Sequence, residues 1–249
     1  MEEGAFVIDG PVLVQEALVA GLTVQEAFAT ADADEAALDA LAAAGVEVHE
    51  VRAEVLARAV DTVTPHGLAA IATRVEGSIA DAIEAAVAGP VVLVLVDVSD
   101  PGNAGTLLRA AEASGAAAVI FCGTSVDPAN AKCVRGSAGA LFHVPVAIAG
   151  DAVAVIEQLA ARGVRTAATV VREGTAYDRA DLRGPIAFVL GSEAHGLPPA
   201  VVAAVSEHLT IPMAGRSESL NVAMAGAVLC FEAQRQRRTE PQPIGDGPA

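Results

Sequence analysis

The sequence predicts an α/β protein whose larger part is a parallel sheet with helices on both faces. Two observations carry this. Residues 91–96, 117–121, 164–170 and 186–190 are apolar almost without interruption, as strands buried on both faces are. Helical stretches separate these runs, which is the spacing of crossover connections between parallel strands. Periodicity alone therefore describes an ordinary doubly wound fold.

Each element follows from local chemistry. Residues 6–8 read as a short strand, and Pro11 opens a helix to about residue 20, since proline suits a first helical turn. A strand over 24–29, an Ala-rich helix near 34–44 and strands over 46–49 and 67–73 continue the alternation. Together they predict a small α/β unit over residues 1–74. Residues 75–89 read as a helical connector, and Gly89-Pro90 punctuates entry to a larger unit over 90–238. Residues 211–213, Ile-Pro-Met, read as the end of one more apolar strand. The tail 239–249, TEPQPIGDGPA, is polar and Pro/Gly-rich and is expected to be disordered.

Composition narrows the function classes. The chain has 249 residues, enough for a sizeable core. It is 53% hydrophobic, yet no apolar stretch reaches the roughly 18 residues that cross a bilayer, so no membrane partner is expected. Glu2 and Glu3 stand where a secretory leader would be basic, which reads as a cytoplasmic protein. Cys122, Cys133 and Cys230 lie in or near apolar segments without metal-ligand spacing. They read as reduced core thiols, with no metal site expected.

The net charge of −16 excludes a simple electrostatic nucleic-acid binder. Its distribution is uneven. Residues 1–74 hold 13 acidic and 3 basic side chains, whereas residues 75–249 hold 18 and 12. Within the second part, Arg109, Lys132, Arg135 and Arg216 lie in or beside the polar blocks described next, and could form a local positive patch.

Three blocks share one grammar, a buried strand running into a polar loop. The first is DVSDPGNAGTLLR, with Asn103, Gly105 and Arg109; the second is VLGSEAHGL, with Leu190, Gly191 and Glu193. The third is IPMAGRSESLNV, with Ile211, Met213, Ser219, Leu220 and Asn221 immediately before an apolar helix. Parallel α/β sheets gather ligands at the carboxyl ends of their strands, and a helix N-terminus offers unpaired N–H groups there. The three blocks are therefore expected to form one site.

In this order, these blocks resemble the three signature motifs of the SpoU (TrmH-like) family of RNA ribose 2′-O-methyltransferases, in the SPOUT superfamily. VRGSAGALF at 134–142 resembles the block that links the first two motifs in that family. The resemblance implies a trefoil knot in the parallel sheet, which no local sequence rule predicts. It likens residues 1–74 to a ribosomal-protein-like substrate-binding domain. It also implies S-adenosyl-L-methionine as cofactor, structured rRNA or tRNA as substrate, and a homodimer packed through the last helix and the first-motif helix.

The roles it implies are specific. Gly191, Ile211, Met213, Leu220 and Leu190 would form the cofactor cleft. Asn103 and Glu193 would orient Arg109 or the ribose, and Ser219 and Asn221 would position the nucleotide. Apart from the resemblance, the local positive patch that includes Lys132, Arg135 and Arg216 is expected to contact RNA. The family casts Arg109 as the base, but a guanidinium stays protonated in proteins. Holding a phosphate and stabilising a developing alkoxide is the other role, and both stay open.

Taken singly, these residues have plainer readings. Asn103 and Gly105 could be helix-start chemistry, Ser219 an N-cap, Asn221 a turn residue, Arg109 a surface charge and His195 a loop residue. A dinucleotide-binding reading fails because Gly102-Asn103-Ala104-Gly105 is not G-x-G-x-x-G. A serine hydrolase reading lacks a G-x-S-x-G elbow. The remaining rival is a catalytically silent RNA- or ribosome-binding relative with the same fold.

Overall fold

The computed structural model describes residues 4–60, 66–192 and 194–238; the tail expected at 239–249 lies outside them. The first seven elements are β1 (Ala5–Asp9), α1 (Pro11–Val19), β2 (Val24–Ala29), α2 (Glu35–Ala43), β3 (Glu47–Glu50), α3 (Ala53–Ala59) and β4 (Leu68–Thr73). They form a four-stranded sheet in the order β1-β4-β2-β3. β4 runs antiparallel to β1 and β2, and β2 runs parallel to β3. The helix α3 has no counterpart in the sequence reading.

The second set is α4 (Ile79–Ala88), β5 (Val91–Val96), α5 (Pro101–Ser114), β6 (Ala118–Cys122), α6 (Ala131–Ser137), β7 (Val146–Ala149) and α7 (Ala152–Ala161). It continues with β8 (Arg165–Thr169), β9 (Thr175–Ala176), β10 (Ile186–Leu190), α8 (Pro199–Ala204), β11 (Glu207–Thr210) and α9 (Val222–Arg238). Their seven strands lie in the order β7-β6-β5-β10-β8-β11-β9. Every pairing in this sheet is parallel.

The continuous apolar strands are explained by what covers them. Along β5, Val91, Leu93 and Leu95 join one hydrophobic cluster, while Val92, Val94 and Val96 join another. On the first face lie Leu107 and Leu108 of α5 and Leu229 and Ala233 of α9. On the opposite face lie Ile83 of α4 and Val155, Ile156 and Leu159 of α7. The helix expected to connect the two sheets, α4, is thus a covering layer of the larger one. It starts at a capping box, in which Ser78 accepts from the Asp81 N–H and the Asp81 carboxylate accepts from Ser78.

The first-face cluster also contains Phe6, Ile8, Leu13 and Leu41 of the small sheet, so the two sheets share one core. The rings of Phe6 and Phe142 lie 6.2 Å apart at the seam. Polar ties reinforce it. Arg74 at the end of β4 bonds Glu76 and also grips Asp127 through both terminal nitrogens, at 2.6 and 3.1 Å. Glu16 of α1 meets His143 at 2.7 Å.

Two details depart from the sequence reading. Residues 211–213 are loop, because the strand they were expected to end is β11, which stops at Thr210. With its alternating charge, Glu207-His208-Leu209-Thr210 carries too weak an apolar signal to be read as a strand. Gly105 serves packing: a Cβ there would fall 2.6–2.8 Å from backbone atoms of Cys133 and Gly136. Its absence lets α5 and α6 meet backbone to backbone.

At the seam, Asp9 is buried and neither carboxylate oxygen has a hydrogen-bond partner among the described residues. Arg135 Nη1 lies 3.7 Å from Oδ2 and His66 Nδ1 lies 4.0 Å from Oδ1, both beyond hydrogen-bond reach. Burial pushes the carboxyl above its usual range, and His66 and Arg135 only partly offset this. A carboxyl raised in the folded state contributes stability that is fully present below its unfolded value of about 3.9 and lost as pH rises through the folded value. Asp9→Asn is therefore expected to match the parent near ~pH 3.5 and to exceed its stability by about 1 kcal/mol near ~pH 7. Denaturant midpoints at the two pH values check this; a less stable variant at neutral pH would mean that the Arg135 guanidinium and the nearby imidazole outweigh burial.

Candidate active site

The carboxyl ends of β8, β10 and β11 open onto a cleft of about 370 Å³. Thr169 ends β8 and Val170 and Val171 follow it, Gly191 and Ser192 follow β10, and Ile211, Met213, Ser219 and Leu220 belong to the loop after β11. Four of the five residues expected to form the cofactor cleft are therefore together. Leu190 is fully buried, and its side chain packs beside Gly226 of α9, leaving only its backbone near the cleft.

The loop after β10 is tight. Gly196 donates its N–H to the Ser192 carbonyl at 2.8 Å, and a Cβ on Gly191 would fall 2.5–2.7 Å from Gly196 and Leu197 backbone atoms. Only glycine at 191 permits that closure. Its apolar walls, exposed backbone and volume fit a small organic cofactor, since such sites run to ~300–1,000 Å³.

Beside the cleft, the N-termini of α5 and α9 lie next to each other. Asn221 precedes α9, and its Oδ1 accepts from the N–H groups of Ala223 (2.9 Å) and Met224 (3.3 Å). With that oxygen committed, its Nδ2 donates to Oδ1 of Asn103 at 2.9 Å. Asn103 sits in the first turn of α5, where its own N–H donates to the Asp100 carboxylate at 2.8 Å. The caps are thus Asp100 and Asn221, not Asn103 and Ser219. Asn103 and Asn221 join the first and third sequence blocks directly.

Arg109 is elsewhere. Six residues along α5, at about 100° each, turn it roughly 120° from Asn103. Its side chain is exposed and lines a separate hollow of about 530 Å³ with Glu16, Glu112 and His143. Although the three sequence blocks were expected to form one site, within one chain Arg109 does not line the cleft. Glu193 lies outside the described residues.

The basic candidates also separate. Arg135 is half-buried at the seam, near Asp9 and donating to the Val60 carbonyl at 3.4 Å, so it is not a free RNA contact. Lys132 is exposed at the start of α6, and Arg216 is exposed in the loop before α9. Burial pushes the thiols of Cys122, Cys133 and Cys230 up to about 12, which leaves them protonated and poor nucleophiles. Sequence reasoning missed the residues at 169–171. The strand-end rule would have found them, because they end the run at 164–170. His195, read as a loop residue, lines the cleft as well.

The sequence profile of the SpoU rRNA Methylase family matches residues 90–231, and that of the MRM3-like substrate binding domain matches residues 1–70. The 23S rRNA (guanosine(2553)-2′-O)-methyltransferase RlmP of Bacillus subtilis is 30% identical over 226 residues, covering 91% of this chain and 87% of its own. RlmB of Ralstonia nicotianae, a 23S rRNA (guanosine-2′-O-)-methyltransferase, is 38% identical over 61% of each chain. Among solved structures, the AdoMet-bound rRNA methyltransferase from Sinorhizobium meliloti superposes with a TM-score of 0.81 at 29% identity, covering 94% of this chain and 88% of its own. The SpoU methyltransferase AviRb from Streptomyces viridochromogenes, in complex with AdoMet, gives 0.82 at 25% identity, covering 95% and 92%.

Gly191→Ala is expected to force the loop open and to weaken S-adenosylmethionine binding roughly tenfold or more by calorimetry, with the circular dichroism spectrum unchanged. An unaltered Kd would show that the tight loop is not part of the binding surface.

Proposed function

Because this chain belongs to the SpoU rRNA methylase family, we propose that it methylates a ribose 2′-hydroxyl of structured RNA, using S-adenosylmethionine in the cytoplasm. The guanosine targets named for its relatives make a guanosine of ribosomal RNA the preferred substrate. One observation carries the reading: the apolar cleft at three strand ends adjoins two helix N-termini bridged by Asn103 and Asn221.

When bound, the cofactor supplies a methyl group already activated by its sulfonium. The protein's task is alignment and charge stabilisation. Gly191 brings backbone close to the ligand, while Ile211, Met213 and Leu220 keep water out. The N-termini of α5 and α9 carry partial positive charge toward the place where the 2′-oxygen becomes anionic. Asn221, locked by three hydrogen bonds, holds the third-motif loop against the first motif, and Ser219 faces the nucleotide. Glu193, in the second motif, orients the ribose.

Arg109 keeps its proton and so acts by holding a phosphate and the developing alkoxide, not as a base. Its place outside the cleft of its own chain fits a homodimer formed through α5 and α9. Met224 and Phe231 of α9 are 61% and 46% exposed, which supports an apolar contact there. Such pairing would set Arg109 beside the cleft of a second copy. The reading includes an RNA-docking unit over 1–74 and a connector at 75–89. It also includes a trefoil knot in 90–238, supported by β10 lying between β5 and β8 with β11 beyond them. Lys132 and Arg216 remain its exposed RNA contacts.

Mass-spectrometric mapping of ribose methylation in RNA from cells with and without the protein tests the activity; identical maps would overturn it. Arg109→Ala is expected to keep cofactor affinity while methylation falls roughly a hundredfold or more. Mixing it with Gly191→Ala chains should restore activity through heterodimers, and no recovery would remove the shared-site part of the reading.

A further inference from the structure

Beyond the loop after β10 lies a second hollow, of about 430 Å³, and six of its nine lining residues lie outside the cofactor cleft. Asp97 and Ser99 follow β5, Thr124 follows β6, and Leu197, Pro198 and Pro199 close it. It shares Ser192, His195 and Gly196 with the cofactor cleft, so one thin loop separates the two.

Asp97 is held in an uncommon way. Its φ is 56°, one of three positive values among the described non-glycine residues. Aspartate tolerates that region better than most residues, but it is still a cost that the surroundings must hold in place. Thr124 does so twice: its N–H and its hydroxyl each donate to Asp97 Oδ1 at 2.8 Å. Gly123, at φ 65°, leaves out the Cβ that would collide with that oxygen. Oδ2 is left without a hydrogen-bond partner among the described residues, on a carboxylate whose other oxygen is held by two donors.

We infer that this hollow is a nucleobase subsite and that Asp97 reads a guanine through its N–H edge. A fixed carboxylate repels phosphate and accepts hydrogen bonds from neighbouring N–H donors. Guanine presents two of them, N1–H and the 2-amino group; hypoxanthine lacks the second, and adenine offers an acceptor at N1. Ser99, and the imidazole of His195 on the shared wall, supply hydrogen bonds for the remaining polar atoms. Leu197, Pro198 and Pro199 supply apolar wall for the ring. The subsite rests on the methyltransferase reading for its purpose, because it places a base one loop away from the methyl donor.

The test uses the full chain. S-adenosylmethionine binding is measured first by calorimetry, and the loaded protein is then titrated with GMP, IMP and AMP. GMP is expected to bind roughly tenfold more tightly than IMP or AMP. Asp97→Asn retains the acceptor that Thr124 holds and tolerates the same backbone, so it should keep its Tm and its cofactor affinity. It should lose the preference for GMP. Equal binding of the three nucleotides by the parent, or a preference that survives in Asp97→Asn, overturns the subsite. Failure to bind S-adenosylmethionine while GMP is still selected overturns the methyltransferase reading instead, so the two failures are told apart.

Discussion

The site depends on how closely α9 lies against α5. A Cβ on Gly226 would collide with the Leu107 side chain and come within 3.0 Å of Leu190, so glycine is what allows the two helices this approach. Gly105 does the same on the opposite flank of α5, against α6. Held between them, α5 cannot roll, and its first turn meets the start of α9. The hydrogen bond from Asn221 to Asn103 is the polar expression of that packing. Overpacking a core of this density costs about 1–3 kcal/mol, enough to displace either helix end.

A second constraint is the shared core. Because the cluster around Leu93 and Leu95 continues into Phe6, Ile8 and Leu13, the small sheet is anchored to the same helices that carry the site. RNA held by one sheet would then be registered against the other without a flexible hinge. Asp9 is the exception in that seam: a buried carboxyl with Arg135 and His66 near but not bonded.

Much of the sparse positive charge is committed to structure. Arg74 ties the sheets together, Arg135 faces Asp9, and Arg165 bonds Glu207 and the Asp181 carbonyl. Arg237 donates to the carbonyls of Pro90, Arg183 and Gly184 at the end of α9. On a protein of net charge −16, recognition of RNA must then draw on shape and on directed hydrogen bonds more than on a broad basic surface. The carboxylate of Asp97, fixed by Thr124, suits that economy.

The sequence by itself determined the α/β class, the buried strands at 91–96 and 186–190 and the grouping of Gly191, Ile211, Met213 and Leu220. These are local signals: an apolar run long enough for a strand, and a polar loop before a helix. Tertiary structure decided the strand order, the place of β11, the packing role of Gly105 and the placing of Arg109 outside the cleft. Each of those depends on which distant backbone lies opposite, or on the rotation of one helix against its neighbours. A linear pattern holds neither quantity, because contacts between residues 103 and 221 or 9 and 135 exist only once the sheets have closed on a common core.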